Sequence, residues 1–300
     1  MAERGLRDEV PILAVLVLIY GLYAFATIWV ATWSVGLAIL LAGFAAALHS
    51  SACHEVLHGH PVRAPWINGA LVFPALSLCI PYLRFRDTHL AHHCDDRLTD
   101  PYDDPESNFV DPKLWAGLPR SVRALLRVNN TLAGRMLLGP AIGQVAFMWT
   151  DARAIWRGET RVLAGWVLHL PAVLVVVWWA VSVGHMPGWG YLAAAYLALS
   201  LLKIRTFLEH RAHECAPGRT VVIEDRGILA FLFLNNNFHI VHHSHPGAPW
   251  WRLRELYDTD RAGYLRLNHG YVYPTYRAVF RRHFLQAKDP VPHPLWPDRG

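Results

Sequence analysis

The sequence is short of charged residues. Only 17% of its 300 residues are Asp, Glu, Lys or Arg, while 53% are hydrophobic. An average soluble domain carries about 25% charged residues, so this composition excludes an ordinary soluble protein and indicates an integral membrane protein. The net charge is +5. A charged lipid surface or an acidic protein partner explains that excess, and we expect no nucleic acid partner.

Cysteine motifs are also missing. The four cysteines, Cys53, Cys79, Cys94 and Cys215, form no CxxC pair. Their scatter excludes a disulfide framework, a zinc ribbon, an iron–sulfur motif and a haem-attachment motif. We also expect no cleaved signal peptide, because the first apolar run is too long and lacks a cleavage site.

Long apolar runs, in contrast, are present and predict transmembrane helices, since a span requires about 20 apolar residues. Four runs qualify, at about 11–31, 33–50, 162–184 and 188–208. Trp29, Trp33 and Trp189 lie where the paired runs meet, at the tips of the hairpins, as expected for anchors at a membrane interface. We therefore predict an all-α integral membrane fold. It is one domain over 1–300, with four transmembrane helices in two hairpins and a cytoplasmic helical cap formed by 51–161 and 209–300.

The basic residues predict the orientation. All 28 Lys and Arg lie within 1–10, 50–161 or 203–300, and the links within the two hairpins have none. The positive-inside rule then places both termini and the cap in the cytoplasm, beneath the inner membrane of the cell. The short, proline-rich run 66–83 is predicted to be re-entrant or interfacial, because a fifth span would separate residues that we expect to act together.

Three histidine clusters stand in the predicted cap. The phrases HLAHH and HIVHH place imidazoles at i, i+3 and i+4, and HEVLH places two at i and i+4, so each cluster lies on one face of a helix. The eight histidines are His54, His58, His89, His92, His93, His239, His242 and His243. Buried imidazoles need hydrogen-bond partners or a metal, and eight suit two ions better than one tetrahedral zinc.

Other residues extend this predicted site. His210 follows the fourth apolar run and is predicted as a ninth ligand, with a helix-end histidine facing water as the alternative. A ligating imidazole usually donates its second N–H to an acceptor, and the candidates for that role are Asp87, Asp95, Asp96, Glu209 and Asn236. For these, solvated loop charges or a helix cap remain open. His49, His60, His213 and His245 flank the clusters and are possible substitutes for a named ligand.

The ligand set favours a histidine-rich pair of irons, because nitrogen donors suit Fe(II). Iron pairs of this kind activate O2, and the apolar spans favour a long apolar substrate that enters from the lipid.

The three clusters, in this order and at these positions, resemble the membrane fatty acid desaturase and hydroxylase superfamily. The resemblance covers about 49–256. The phrases RDTHLAHHCDDRLTDPYDDPES and NNNFHIVHHSHPGAPWWRL are most similar to bacterial members identified as fatty acid desaturases, and the second is also similar to carotenoid ketolases.

The resemblance implies that the histidines of the three boxes and His210 bind two iron ions (Fe2+/Fe3+), with O2 as co-substrate and a lipid as substrate. The expected reaction is fatty acyl desaturation, with hydroxylation or ketone formation as alternatives. The sequence contains no fused electron carrier, which implies an external donor of ferredoxin, rubredoxin or cytochrome type. An acidic ferredoxin can use the basic residues near the C-terminus, such as Arg281 and Arg282.

Two other classes of function compete with this one. His54-Glu55-Val-Leu-His58 matches the HExxH motif of zinc metalloproteases, with Glu55 as general base. That reading leaves the other two clusters without a role. A metal transporter would place ligands near the middle of the bilayer, where only His169 is expected.

Overall fold

The computed structural model describes residues 6–93 and 97–296. Within them the chain is mostly helical. The helices are α1 Leu6–Ile28, α2 Val35–Leu57, α3 Pro65–Leu71, α4 Tyr82–His92, α5 Pro112–Gly117, α6 Arg120–Asn129, α7 Leu132–Leu137, α8 Gly139–Trp156, α9 Thr160–Ser182, α10 Gly188–Thr206, α11 Ile228–Leu232, α12 His239–Ser244, α13 Leu253–Thr259, α14 Arg261–Leu267 and α15 Tyr276–His283. Two short strands, β1 Val222–Ile223 and β2 Val272–Tyr273, pair in parallel.

The chain divides into two compact units. Unit 1 comprises 1–86 and 141–202, and unit 2 comprises 87–140 and 203–300. The long apolar helices belong mainly to unit 1, and most of the short elements belong to unit 2.

Three helices in the described part of the chain are long and apolar enough to span a membrane, namely Glu9–Thr32, Val35–Leu57 and Thr160–Ser182. They correspond to the first three predicted spans. The fourth predicted span is the helix α10, but it does not reach the same apolar character because Lys203 and Arg205 lie in its last turn. Four spans in two hairpins therefore remain a prediction.

In unit 1, small residues allow the helices to approach closely. Ala38, Ala42 and Ala45 on α2 are fully buried, and a Cβ atom added at Gly43 would lie 2.8 Å from Cδ2 of Leu197 on α10. Small side chains at such contacts are typical of helices packed in membranes. The segment 66–83 contains only the seven-residue helix α3 before α4 begins.

The link between α1 and α2 is short. A 3-10 turn over Val30–Thr32 ends α1, and the Ser34 hydroxyl accepts a hydrogen bond from the Leu37 amide to cap α2. Trp29 and Trp33 are 61% and 68% exposed, as expected for side chains that anchor a helix pair at a membrane interface.

In unit 2, a small core supports the helix α12, which carries the third histidine cluster. Val222, Phe238, Val241, Leu253 and Tyr257 pack together and are at most 2% exposed. The backbone adds to this support. The amide of Ile223 donates to the carbonyl of Asn237, and the amide of Ile240 donates to that of Val221. Hydrogen bonds therefore join the segment that begins α12 to β1 and to the residue before it.

Candidate metal centre

The second histidine cluster lies at the end of α4. His89 and His92 are one turn apart and almost fully buried, at 1% and 2% exposure. His93 follows the helix, and its amide donates to the carbonyl of His89. The Nε2 atoms of His89 and His93 are 3.0 Å apart, so the i and i+4 rings meet as the spacing predicted.

The third cluster occupies α12. His239, His242 and His243 are all buried. Nε2 of His242 lies 3.1 Å from Nε2 of His93, and the ring of His243 stacks on that of His93 with centroids 4.5 Å apart. The second and third clusters are thus in direct contact within unit 2, although about 150 residues separate them.

His210 lies with these rings. It comes four residues after α10, and its Nε2 is 2.9 Å from Nε2 of His92 and 3.1 Å from Nε2 of His239. The ring is therefore not a helix-end histidine facing water.

We refer to these seven residues as the buried cluster: His89, His92, His93, His210, His239, His242 and His243. The cluster has two parts. Ligand atoms of His92, His210, His239 and His243 belong to one group in which all lie within 4.8 Å of one another. His89, His93 and His242 form the other part through the Nε2 contacts given above.

In three of these rings, Nδ1, the nitrogen that faces away from the cluster, lies at hydrogen-bond distance from an acceptor. Nδ1 of His92 lies 2.7 Å from Oδ1 of Asp104, and Nδ1 of His89 lies 2.9 Å from Oε1 of Glu106. Nδ1 of His239 lies 3.1 Å from Oδ1 of Asn236. A neutral imidazole has one N–H, so these acceptors favour the proton on Nδ1 and leave the Nε2 lone pair directed into the cluster.

Two of the five predicted supporting residues make such contacts. Asn236 binds His239, and its amide nitrogen donates to Oε1 of Glu209 at 3.0 Å. Glu209 in turn lies 3.9 Å from Nδ1 of His239 and 2.9 Å from Nε of Arg205. The alternative role of the Asn run, capping α12, is not observed, because Phe238 occupies the N-cap position. Asp87 lies on α4 and is partly buried, whereas Asp95 and Asp96 fall outside the described residues.

The contacts of Asp104 and Glu106 with the imidazoles were not predicted from the sequence. The two side chains lie 12 and 17 residues after their imidazole partners, in a turn-rich phrase that reads as a solvated loop. The available signal was the group of acidic residues, DPYDDPE, soon after the second cluster. Asp104 also accepts hydrogen bonds from the amides of Thr99 and Glu106, so it folds this loop back onto α4.

Within and beside the buried cluster, the pKa values of the histidines are shifted in opposite directions. Burial disfavours a charge on His92, but Glu106 and Asp104 outweigh it and raise the pKa of His92 to about 9. Burial and the adjacent rings of His92 and His243 hold the pKa of His210 well below its ordinary value. Burial also raises the pKa of Glu209, although Arg205 opposes the shift.

These residues fit a pair of metal ions. Lone pairs of several Nε2 atoms converge at hydrogen-bond distance, where protons can satisfy only some of them. The carboxylates favour positive charge at the same place, and a bound cation supplies that charge without crowding the cluster with protonated rings. Seven neutral nitrogen donors in two parts suit two borderline divalent ions.

The first cluster lies in unit 1, at the end of α2. The rings of His54 and His58 have centroids 5.1 Å apart, so the i, i+4 spacing brings this pair together. Glu55, between them, is buried, and its Oε1 lies 3.9 Å from Nε2 of His60, which itself contacts Glu9 at 3.0 Å. The buried carboxylate of Glu55 therefore lies near a histidine.

The flanking histidines have other contacts. His49 lies 3.4 Å from the hydroxyl of Tyr20, and His245 lies 3.0 Å from that of Tyr264. His169 is buried and lies 2.8 Å from the carbonyl of Leu78, as expected for a core histidine. His283 and His293 are also buried, where Tyr273 and Thr99 supply hydrogen-bond partners that the sequence does not reveal.

The helices and the buried cluster together define a class: a membrane-associated helical protein with a histidine-rich candidate metal centre. The sequence profile of the family described as Fatty acid desaturase matches residues 29–275. The chain belongs to this family, and the match confirms the resemblance found in its histidine clusters. No curated protein gives a significant match.

Proposed function

We propose that this protein is an O2-dependent, membrane-bound, non-haem di-iron oxidase that desaturates a fatty acyl chain. The family supports a lipid-modifying oxidoreductase. The observation that carries the proposal is the buried cluster, in which ring nitrogens of seven imidazoles converge. When bound, the irons supply the activation of O2 and the removal of hydrogen from an unactivated C–H bond.

The residues of this chain then have defined tasks. The seven imidazoles bind the metal, and Asp104, Glu106 and Asn236 hold the proton on Nδ1 of their partners. His54 and His58 are proposed as further ligands from their sequence alone. The burial of the cluster excludes bulk water, which protects a reactive site from side reactions.

The proposal extends to the setting of the enzyme. We place it in the inner membrane of the cell, with the histidine clusters and both termini on the cytoplasmic side, on the basis of the positive-inside pattern. The substrate enters from the lipid, and an external donor of ferredoxin, rubredoxin or cytochrome type supplies electrons.

Two measurements test the function. Metal analysis of purified protein should find about two irons per chain, whereas about one zinc would favour the protease alternative. Mass spectrometry of lipids from cells that express the protein should then find acyl chains that have lost two hydrogens. A gained oxygen would instead show a hydroxylase, and a gained oxygen with two hydrogens lost would show a ketolase. Unchanged lipids in a strain with a suitable donor would contradict the proposal.

The donor surface is tested separately. Arg281 and Arg282 lie in the exposed last turn of α15. Reversing both to Glu should slow reduction of the enzyme by an acidic ferredoxin severalfold and weaken its dependence on salt, because rim charges act mainly on the association rate. Reversing Arg120 and Arg127, which are exposed on α6 and lie outside the basic residues near the C-terminus, is the control. Equal rates for the wild type and the Arg281/Arg282 variant would remove this surface from the proposal.

A further inference from the structure

Unit 2 carries a second set of metal-ligating residues outside the buried cluster. Ligand atoms of His213, Cys215 and His269 all lie within 4.8 Å of one another. Cys215 and His269 are exposed and His213 is partly buried. We refer to these three residues as the surface cluster, and nothing in the proposed oxidase reaction uses them.

The donor chemistry of the surface cluster differs from that of the buried cluster. Zinc binds both imidazole nitrogen and cysteine thiolate, and zinc sites with three protein ligands leave a fourth position open. In a tetrahedral zinc site, Zn–N and Zn–S bonds of about 2.0–2.3 Å place the donors about 3.3–3.6 Å apart. Exposed side chains can close the remaining distance by small rotations.

Two arginines fix the loop that presents His213 and Cys215. Nε of Arg211 donates to the carbonyl of Gly218, and Nε of Arg219 donates to that of His213, both at 2.9 Å. A second nitrogen of Arg219 donates to the carbonyl of Leu98 at 2.7 Å. The loop is therefore held by guanidinium groups that bind its backbone, and the positions of its side chains are largely set before any ligand binds.

Backbone groups of Cys215 fix the ring of His213. The amide of Cys215 donates to Nδ1 at 3.1 Å, and the carbonyl oxygen of the same residue lies 3.2 Å from that nitrogen. The amide contact favours the neutral ring with its proton on Nε2. A metal ion that binds through Nε2 displaces this proton or shifts it to Nδ1, where the carbonyl accepts it.

His269 adopts a backbone conformation that histidine seldom takes. Its φ is 52°, in the left-handed region where glycine is favoured and most other residues are strained. The conformation brings its ring against that of His213, with centroids 4.5 Å apart. Arg211 also supports this turn, since its guanidinium donates to the carbonyls of Asn268 and His269.

We propose that His213, Cys215 and His269 bind one zinc-class divalent cation, with the fourth position open to water. The ion links the loop 211–219 to the turn 268–270. Such a link closes a long segment of chain and stabilises unit 2 next to His210. It is independent of the iron site, because none of its ligands belongs to the buried cluster.

Thiol protection tests the proposal on the full-length, iron-loaded protein in detergent. Zinc chloride is added, the protein is treated with iodoacetamide, and alkylation of the Cys215 peptide is followed by mass spectrometry. Zinc at about ten times its dissociation constant should slow alkylation about tenfold, because about a tenth of the sites stay open. Magnesium should have no effect, since it prefers oxygen ligands.

Two variants keep the test falsifiable. His269→Gly removes a ligand at a position where glycine relieves the backbone strain, so it should fold, and zinc should then slow alkylation less than about twofold. His245→Ala removes an exposed histidine elsewhere in unit 2 and should retain full protection.

Cobalt provides a second readout, because a cobalt–thiolate bond absorbs in the near ultraviolet. This absorption should appear in the wild-type protein and be lost in Cys215→Ser. The proposal is overturned if zinc does not protect Cys215, if His269→Gly is protected as well as the wild type, or if the cobalt absorption persists in Cys215→Ser.

Discussion

The buried cluster and the surface cluster lie in the same unit and use the same side chain in different ways. In the buried cluster, charged or amide side chains hold the outer nitrogen of three rings, as Asp104 does for His92 at 2.7 Å. In the surface cluster, backbone groups of Cys215 contact Nδ1 of His213 instead, and a thiol completes the donor set. Burial explains the difference, because an imidazole removed from water requires an acceptor of its own, whereas an exposed ring has water.

The largest effect is expected when one imidazole of the buried cluster is removed. His239→Ala should lower the iron content by at least one ion per chain and reduce product formation more than about 100-fold, beyond the 10–100-fold typical of supporting residues. Metal analysis and lipid analysis on the same preparation measure both effects. Iron content equal to that of the wild type would show that the buried cluster does not hold the metal.

Removing one supporting charge should have a smaller effect. Glu106→Gln keeps an acceptor beside Nδ1 of His89 and removes the negative charge, so iron affinity should fall about 10–100-fold. Competition with a chelator of known affinity measures it. The matched control is Glu255→Gln, which removes an exposed carboxylate near Arg252. Equal iron affinities for the two variants would show that Glu106 does not support the metal site.

The pH dependence of metal binding follows from His92. Its pKa in the metal-free protein is raised to about 9, so below that pH a metal ion must displace a proton from this ring. Affinity should therefore fall as the pH decreases, by up to about tenfold per unit for one displaced proton, and should level off above about pH 9. Titration with Fe(II) under nitrogen between pH 6 and 10 checks the sign. Affinity that is flat or rises toward acid would contradict it.

The smallest effect is expected for an exposed ring. His245→Ala removes a hydrogen bond to Tyr264 and should change the free energy of unfolding by less than about 0.5 kcal/mol, as surface substitutions usually do. Its iron content should equal that of the wild type. Loss of iron in this variant would mean that His245 replaces one of the predicted ligands.

Periodicity predicted much of the site. The i, i+3 and i+4 spacing brings the rings of each cluster together, and the position of His210 after the fourth apolar run places it beside them. The proximity of Glu209 and Asn236 to these rings was also predicted, because both are close in sequence to predicted ligands. The proximity of Asp104 and Glu106 was not predicted, since the loop that returns them to α4 depends on amide contacts to Asp104 that no local pattern encodes.

The sequence also predicted the helices of unit 1 better than the contacts between them. Apolar length predicted the helices α1, α2, α9 and α10, and α2 continues seven residues beyond the predicted end at residue 50, so that it carries the first cluster. The contact of Gly43 with Leu197 was not predicted, because a single glycine in an apolar run gives no indication of its partner. The buried positions of His283 and His293 were not predicted either, because no local pattern indicates their partners, Tyr273 and Thr99.

The two-residue strand β2 has a consequence for the order of events during synthesis. The segment that begins α12 is hydrogen-bonded to β1. The strand β1 pairs in turn with β2, which consists of Val272 and Tyr273 and lies about 30 residues after the last histidine of the third cluster. A ribosome that has just finished the histidines has not yet made the strand that completes their support. We therefore expect the proposed metal ions to be inserted only after β2, which ends at Tyr273, has been synthesised.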